Sequence, residues 1–166
     1  MRSIYKIVVC SLLTLSITSC EKDLLEKEQY QKEIYLIGAY NRVWTTEVSY
    51  SNEEVKTYFT VSSSGTLALD RDVNVKMKIN EELVDIYNKK YWTVLNEDKY
   101  YKSLDTDLYS IPSLENTVIK HAEGISAEVP VLIKTASLKI DQSYVIPVEI
   151  ESTTGYPISE SGYKML

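Results

Sequence analysis

The stretch "VNVKMKI", Val73 to Ile79, decides the fold class. Val73, Val75, Met77 and Ile79 alternate with Asn74, Lys76 and Lys78. A period of two puts the apolar side chains on one face of a strand and the polar ones on the other. Such alternation implies a sheet with one wet face. The next residues change period. Asn80 reads as an N-cap for "EELVDIYNKKY", with Leu83, Ile86, Tyr87 and Lys90 on one helical face. Glu81 and Glu82 lie at the positive end of that helix dipole, and Lys89 and Lys90 at the negative end.

Working outward, the same period-two reading finds strands on both sides. Upstream, "EIYLIGA", "RVWTTEVSY" and "KTYFTVSS" are rich in β-branched and aromatic residues. Downstream come a short strand at Leu108 to Ile111 and a strand from Thr117 to Lys120. A turn at Glu123-Gly124 leads into "AEVPVLIKT", which carries Val129, Val131 and Ile133 on one face. Pro130 cannot donate to a ladder, so this strand is expected at an edge or with a bulge. In "SYVIPVEIES", Tyr144, Ile146, Val148 and Ile150 should share a face, with Pro147 on the other. About seven or eight short strands separated by turns point to a β-sandwich over residues 34–166. "GYKML" at the C-terminus starts a further strand and stops. The expectation is a domain truncated there; the alternative is a strand that closes the sheet.

The N-terminus reads as a processing signal. Arg2 and Lys6 precede the apolar run "IVVCSLLTLSI", Ile7 to Ile17, and the small residues Thr18 and Ser19 precede Cys20. That order describes a secretory signal over residues 1–19. The run is shorter than the about 20 residues a membrane span needs. Ile17-Thr18-Ser19-Cys20 resembles the bacterial lipobox. The resemblance implies that Cys20 becomes the lipidated first residue of the mature chain. Two or three acyl chains, each buried CH₂ contributing about 0.8 kcal/mol, would anchor it to a membrane. Residues 20–33, "CEKDLLEKEQYQKE", then form a lipidated tether, either a short helix or a solvated segment. Acidic residues after Cys20 resemble an export tag of some Bacteroidetes lipoproteins. The expected location is the outer membrane, exposed at the cell surface, with a periplasm-facing orientation as the alternative.

Loss of residues 1–19 would remove Arg2 and Lys6, making the chain still more acidic than its formal net charge of −6. Nucleic acid is not an expected partner for such a chain. Cys10 would leave with the signal, so a packed core rather than a disulfide must supply stability.

Four segments together resemble a known family: "NVKMKINEELVDIYN", "YYKSLDTDLYSIPS", "VIKHAEGISAEVPVLIKT" and "SLKIDQSYVIPVEIESTTGYPIS". They are similar to the N-terminal domain of unknown function of Bacteroidetes surface lipoproteins from polysaccharide-utilisation loci. The similarity covers most of residues 34–166 and is strongest after Val73. It implies an immunoglobulin-like β-sandwich with one short helix. In that family a lectin-like module or a family-18 glycosidase commonly follows, and no catalytic or ligand residues are established for the N-terminal domain.

The residues suggest little chemistry of their own. His121 is the only histidine and reads as a solvated turn residue. Asp70, Asp72, Asn74 and Glu81 imitate a calcium loop, but Val75 stands where its glycine belongs. No G-x-S-x-G elbow surrounds a serine. Pairs such as Glu53/Glu54 and Asp105/Asp107 have nothing to raise a carboxyl pKa, as a glycosidase acid requires. No enzyme, cofactor or metal is expected. Aromatic composition says more, with 14 Tyr and 2 Trp against 1 Phe. Rings with a wet hydroxyl suit stacking on sugar C–H faces. Tyr87, Tyr91, Trp92, Tyr100 and Tyr101 cluster in sequence, and Trp44 is a second candidate. Packing is the competing use of all six.

The function expected is a non-catalytic surface module accessory to glycan capture, as a binding face or as a spacer presenting a partner domain. The alternatives are a structural, adhesion or assembly protein pairing through a sheet edge, and the remnant of a surface glycosidase. Polysaccharide or another surface protein is the expected partner, besides the membrane reached through the lipid.

Overall fold

The computed structural model describes residues 27–166 apart from residues 93 and 141. The signal segment, Cys20 and the tether up to Glu26 lie outside the described residues. Among the described residues, ten strands and one α-helix follow in order: β1 (Ile34–Leu36), β2 (Glu54–Ser63), β3 (Val73–Ile79), α1 (Glu82–Tyr91), β4 (Lys102–Ser103), β5 (Tyr109–Ser110), β6 (Thr117–Ile119), β7 (Ser126–Lys134), β8 (Tyr144–Val145), β9 (Val148–Thr153) and β10 (Lys164–Met165). Two four-stranded antiparallel sheets, β1-β2-β7-β5 and β10-β9-β3-β6, face each other. A small parallel pair, β4 with β8, lies beside them. The fold is an all-β, immunoglobulin-like sandwich with one short helix.

Alternation in β3 does what the pattern promised. Val73, Val75 and Met77 are fully buried, and Asn74, Lys76 and Lys78 are exposed. On the wet face Lys76 pairs with Glu151 of β9 at 2.7 Å. That contact raises the lysine pKa and lowers the carboxyl. From the other sheet Val61 of β2 and Val129 of β7 meet the β3 side chains, with Ile34, Leu36 and Ile119 completing a dry interior. Each such side chain contributes about 1.5–3 kcal/mol by leaving water.

The helix departs from the expected face. Leu83, Val84 and Asn88 are buried, whereas Ile86 is 52% exposed. The helix docks through Leu83, Val84 and Tyr87 onto Val145, Val43 and Leu166, a second small cluster. Asn80 caps as expected, its side-chain oxygen accepting from Glu82 N at 3.2 Å.

Three strand expectations are corrected. Residues 43–50 form no ladder, although "RVWTTEVSY" has strand composition. They are held at the ends instead: Trp44 N donates to Leu166 O at 2.9 Å and Leu166 N to Arg42 O at 2.8 Å. At the other end Thr135 Oγ1 accepts from Ser51 N at 2.9 Å and lies 3.2 Å from the Ser49 and Ser51 carbonyl oxygens. Pro147 is buried rather than outward. The chain leaves β8 for β9 at Ile146-Pro147, changing sheets there, so one alternation does not run through it. Finally, β7 is an inner strand. At Pro130, however, its ladder neighbour is Tyr58 of β2, because β5 reaches only Leu132 and Ile133. The edge character demanded by a missing N–H is met locally.

Glu28 to Glu33, expected as tether, dock on the turn after β2. Glu28 pairs with Lys32 and accepts from the backbone of Thr66 and Leu67. Glu33 N donates to Ser64 Oγ at 2.9 Å. No helix forms in residues 27–33.

One inequality of length shapes the surface. β2 has ten residues and β1 has three, pairing only with Val61, Ser62 and Ser63. Beyond that pairing, β1 turns its other edge to residues 157–162, with Ile34 N donating to Pro157 O and Leu36 N to Gly162 O, both at 2.8 Å. The sandwich is therefore laced shut along β1. Past the end of β1, the first half of β2 has no ladder partner on that edge, and residues 43–50 run beside it outside any ladder.

Candidate functional site

Beside that half of β2 lies a cleft of about 800 Å³. Its floor is the rim of the core: Phe59, Val131 and Ile133 from one sheet, Val148 and Met165 from the other. Residues 43–50 form one wall, and residues 138–140 and 142–146 form another. The size is that of an ordinary ligand site.

Trp44 is the ring that this geometry presents. The chain leaves β1 through Gly38, at φ 90°, makes one 3₁₀ turn over Ala39–Asn41, and leaves again through Arg42, at φ 63°. Two left-handed residues around a single turn reverse the chain and lay Trp44 back over Gly38. A methyl group at residue 38 would come within 2.6 Å of Trp44 Cε3. Glycine is needed there for both φ and space. The indole stays 48% exposed, and Tyr50 and Tyr58, which also line the cleft, are 63% and 53% exposed. Thr45, Thr46, Thr57, Gln142 and Ser143 place hydroxyl and amide groups around them.

The sequence cluster divides. Tyr87 packs on Tyr91 with ring centroids 4.5 Å apart and on Tyr101 at 5.5 Å. Burial, then the charges of the Tyr101 and Tyr91 phenols, pushes the Tyr87 phenol above its ordinary pKa. Asn88 fixes this group: its Nδ2 donates to Tyr101 O and its Oδ1 accepts from Tyr101 N, both at 2.9 Å. Trp92 keeps a buried indole N–H with no partner among the described residues, and Lys99 Nζ lies 5.6 Å from its ring centroid. Tyr100 faces a second, more open concavity of about 570 Å³ lined by Glu81, Glu82, Asp85 and Glu97. Tyr101 borders both concavities, so of the six predicted aromatics the cleft unites Trp44 and Tyr101. Tyr50 and Tyr58 went unnoticed in the sequence. The signal for Tyr58 was there: on β2 it stands out of phase with Phe59 and Val61, among Lys56 and Glu54. For Tyr50, in irregular chain, there was none.

His121 is exposed and its Nδ1 lies 2.6 Å from Asp72 Oδ1. Asp70 is held by Arg71 and by the Tyr156 hydroxyl. These acids are thus engaged elsewhere, and among the described residues no three His, Cys, Asp or Glu side chains gather as metal ligands would.

Residues 30–157 match a family model described as a "-like, N-terminal domain". The chain belongs to that N-terminal-domain family. Comparison with curated proteins gave no match. Solved structures of the same fold come from Bacteroides. A Bacteroides ovatus protein described as a "putative carbohydrate binding protein" is 18% identical with a TM-score of 0.60, over 80% of this chain and 35% of that one. A multidomain Bacteroides ovatus protein including DUF1735 is 19% identical with a TM-score of 0.57, over 68% of this chain and 37% of that one. EndoBT-3987 of Bacteroides thetaiotamicron, solved with a Man5GlcNAc product, is 21% identical with a TM-score of 0.54, over 80% of this chain and 29% of that one. The chain thus spans well under half the length of each of these three proteins. The family membership and this shared fold agree with the N-terminal Bacteroidetes domain expected from the four segments.

Proposed function

We propose that this domain is a non-catalytic module accessory to glycan capture, and that the Trp44 cleft is its binding face. The observation that carries the proposal is the seating of Trp44: an indole half in solvent, backed by Gly38, over a cleft ringed with hydroxyls and an amide. Aromatic faces take the C–H side of a pyranose, and fixed polar groups take its hydroxyls. Glu47 is the one side-chain carboxylate among the described cleft residues, and glycoside hydrolysis ordinarily uses two. The Bacteroides ovatus neighbour described as carbohydrate binding points the same way. The test is tryptophan fluorescence titration with a panel of oligosaccharides. Saturable quenching that Trp44→Ala removes supports the proposal; a flat response to every sugar rejects it.

A spacer that presents a partner domain is the second reading. Exposed apolar residues favour it: Leu95 is 91%, Ile140 87% and Val94 76% exposed. Co-purification of a surface protein, lost in Ile140→Ser, would favour this reading over sugar binding.

The setting we infer is the outer face of an outer membrane, with Cys20 lipidated after removal of residues 1–19. No helix among the described residues is long and apolar enough to cross a membrane. Mass spectrometry of the native product decides the matter: a diacylglyceryl adduct on Cys20 is expected, and an intact Met1 with free thiols contradicts it.

A further inference from the structure

Resting on the glycan reading above, we infer that the Trp44 cleft selects uncharged pyranose chains. Charge is the first reason. The charged side chains among the described cleft residues are Glu47 and Lys139, one of each sign and both exposed. A uronate or sulfate needs a cationic fork or several lysines to replace its water, since anion recognition rests on charge-assisted hydrogen bonds. The cleft has a single lysine and faces solvent from a chain of formal charge −6, which repels a polyanion before contact.

The second reason is the way Trp44 is held. The Cε3 edge of its six-membered ring abuts Gly38, which seats the half-exposed indole against the turn. Thr46 and Thr57, with hydroxyl oxygens 3.4 Å apart, stand as neutral partners for sugar hydroxyls. Apolar floor, a seated and half-exposed indole and neutral hydroxyl groups match an uncharged pyranose.

The experiment is native affinity electrophoresis of the full chain, kept in detergent, through gels containing mannan, xylan or β-glucan and through gels containing polygalacturonate or chondroitin sulfate. The expected result is retardation by at least one neutral polymer, unchanged from low to high salt, with free mobility in both anionic gels. Trp44→Ala should weaken that binding about tenfold or more, equivalent to ~1.4 kcal/mol. Trp44→Phe, which keeps a smaller stacking face, should recover part of it, and Trp92→Ala should leave it unchanged. Retardation confined to the anionic gels overturns the neutral selectivity while leaving glycan capture standing. Neutral binding that survives Trp44→Ala in a folded protein overturns the assignment of that selectivity to the Trp44 cleft, since the stacking site is then elsewhere. Free mobility in every gel rejects glycan capture itself.

Discussion

Two aromatic groups meet at Tyr101. On the helix side, Tyr87 packs on both Tyr91 and Tyr101, and Asn88 clamps the backbone that carries the last of them. On the cleft side, Trp44, Tyr50 and Tyr58 keep about half or more of their surface in water. The first group is dense in sequence and is joined through Tyr87, although Tyr91 is itself 48% exposed. The second is scattered over three segments, and its rings meet solvent. Sequence density of tyrosine therefore tracked packing here. The exposed rings came from the turn that reverses the chain at Gly38 and from a strand too short to cover its neighbour.

The contrast can be broken by substitution. The largest effect is expected from Asn88→Ala, which leaves the Tyr101 N–H and C=O without their partners. It should lower unfolding free energy by about 2–4 kcal/mol, at roughly 1–3 kcal/mol for each orphaned group. Urea denaturation measures that. If stability is unchanged, the helix-side group is not a packing unit.

Trp44→Ala should invert the pattern, with sugar affinity down about tenfold or more and stability changed by less than ~1 kcal/mol, since the ring is half in water. A large loss of stability would instead make Trp44 a core residue.

Gly38→Ala sharpens the same side. A left-handed backbone with a Cβ costs about 1–2 kcal/mol, and the new methyl must also push the indole away. A lowered unfolding midpoint together with a red-shifted tryptophan emission is the expected outcome. Stability loss with an unmoved emission would mean that Gly38 serves the turn and does not seat the ring.

The smallest effect lies away from both groups. Hydrogen bonding, first from Lys32 and then from the Thr66 N–H, lowers the Glu28 carboxyl from 4.5 to about 2. A carboxylate with a depressed folded-state pKa contributes stability above its unfolded pKa and loses it as pH falls through the folded value. The wild type should therefore lose a little stability between about pH 4.5 and pH 2, and Glu28→Gln should flatten that slope. Unfolding midpoints of the two proteins at several pH values in this window are the measurement. Parallel curves would show that residues 28–33 are not docked in solution.

How much of this was legible can be judged residue by residue. Val73 to Ile79 was read to the residue, because a half-buried strand writes its burial directly as alternation. The helix was legible as a helix but not in its face. Ile86 has a core side chain's chemistry, yet α1 docks through Val84 and Asn88, and that choice depends on where Val145 and Leu166 lie. Residues 43–50 have strand composition and no strand partner, and partners are a tertiary matter. Pro147 looked outward because the alternation of β8 was continued through a change of sheet. Of the candidate site, Trp44 was named from residue type alone; nothing local said that Gly38 would back it or that Tyr50 and Tyr58 would line the same cleft.

Side-chain chemistry and its period thus determined, from the sequence by itself, a layered β-protein, its one short helix and a supply of rings. Those signals are local, carried by neighbours along the chain. Which rings became a packed cluster and which became a cleft was decided only in the tertiary structure. The difference in length between β1 and β2, and the turn that folds Trp44 onto Gly38, act between residues far apart in sequence, where no periodicity records them.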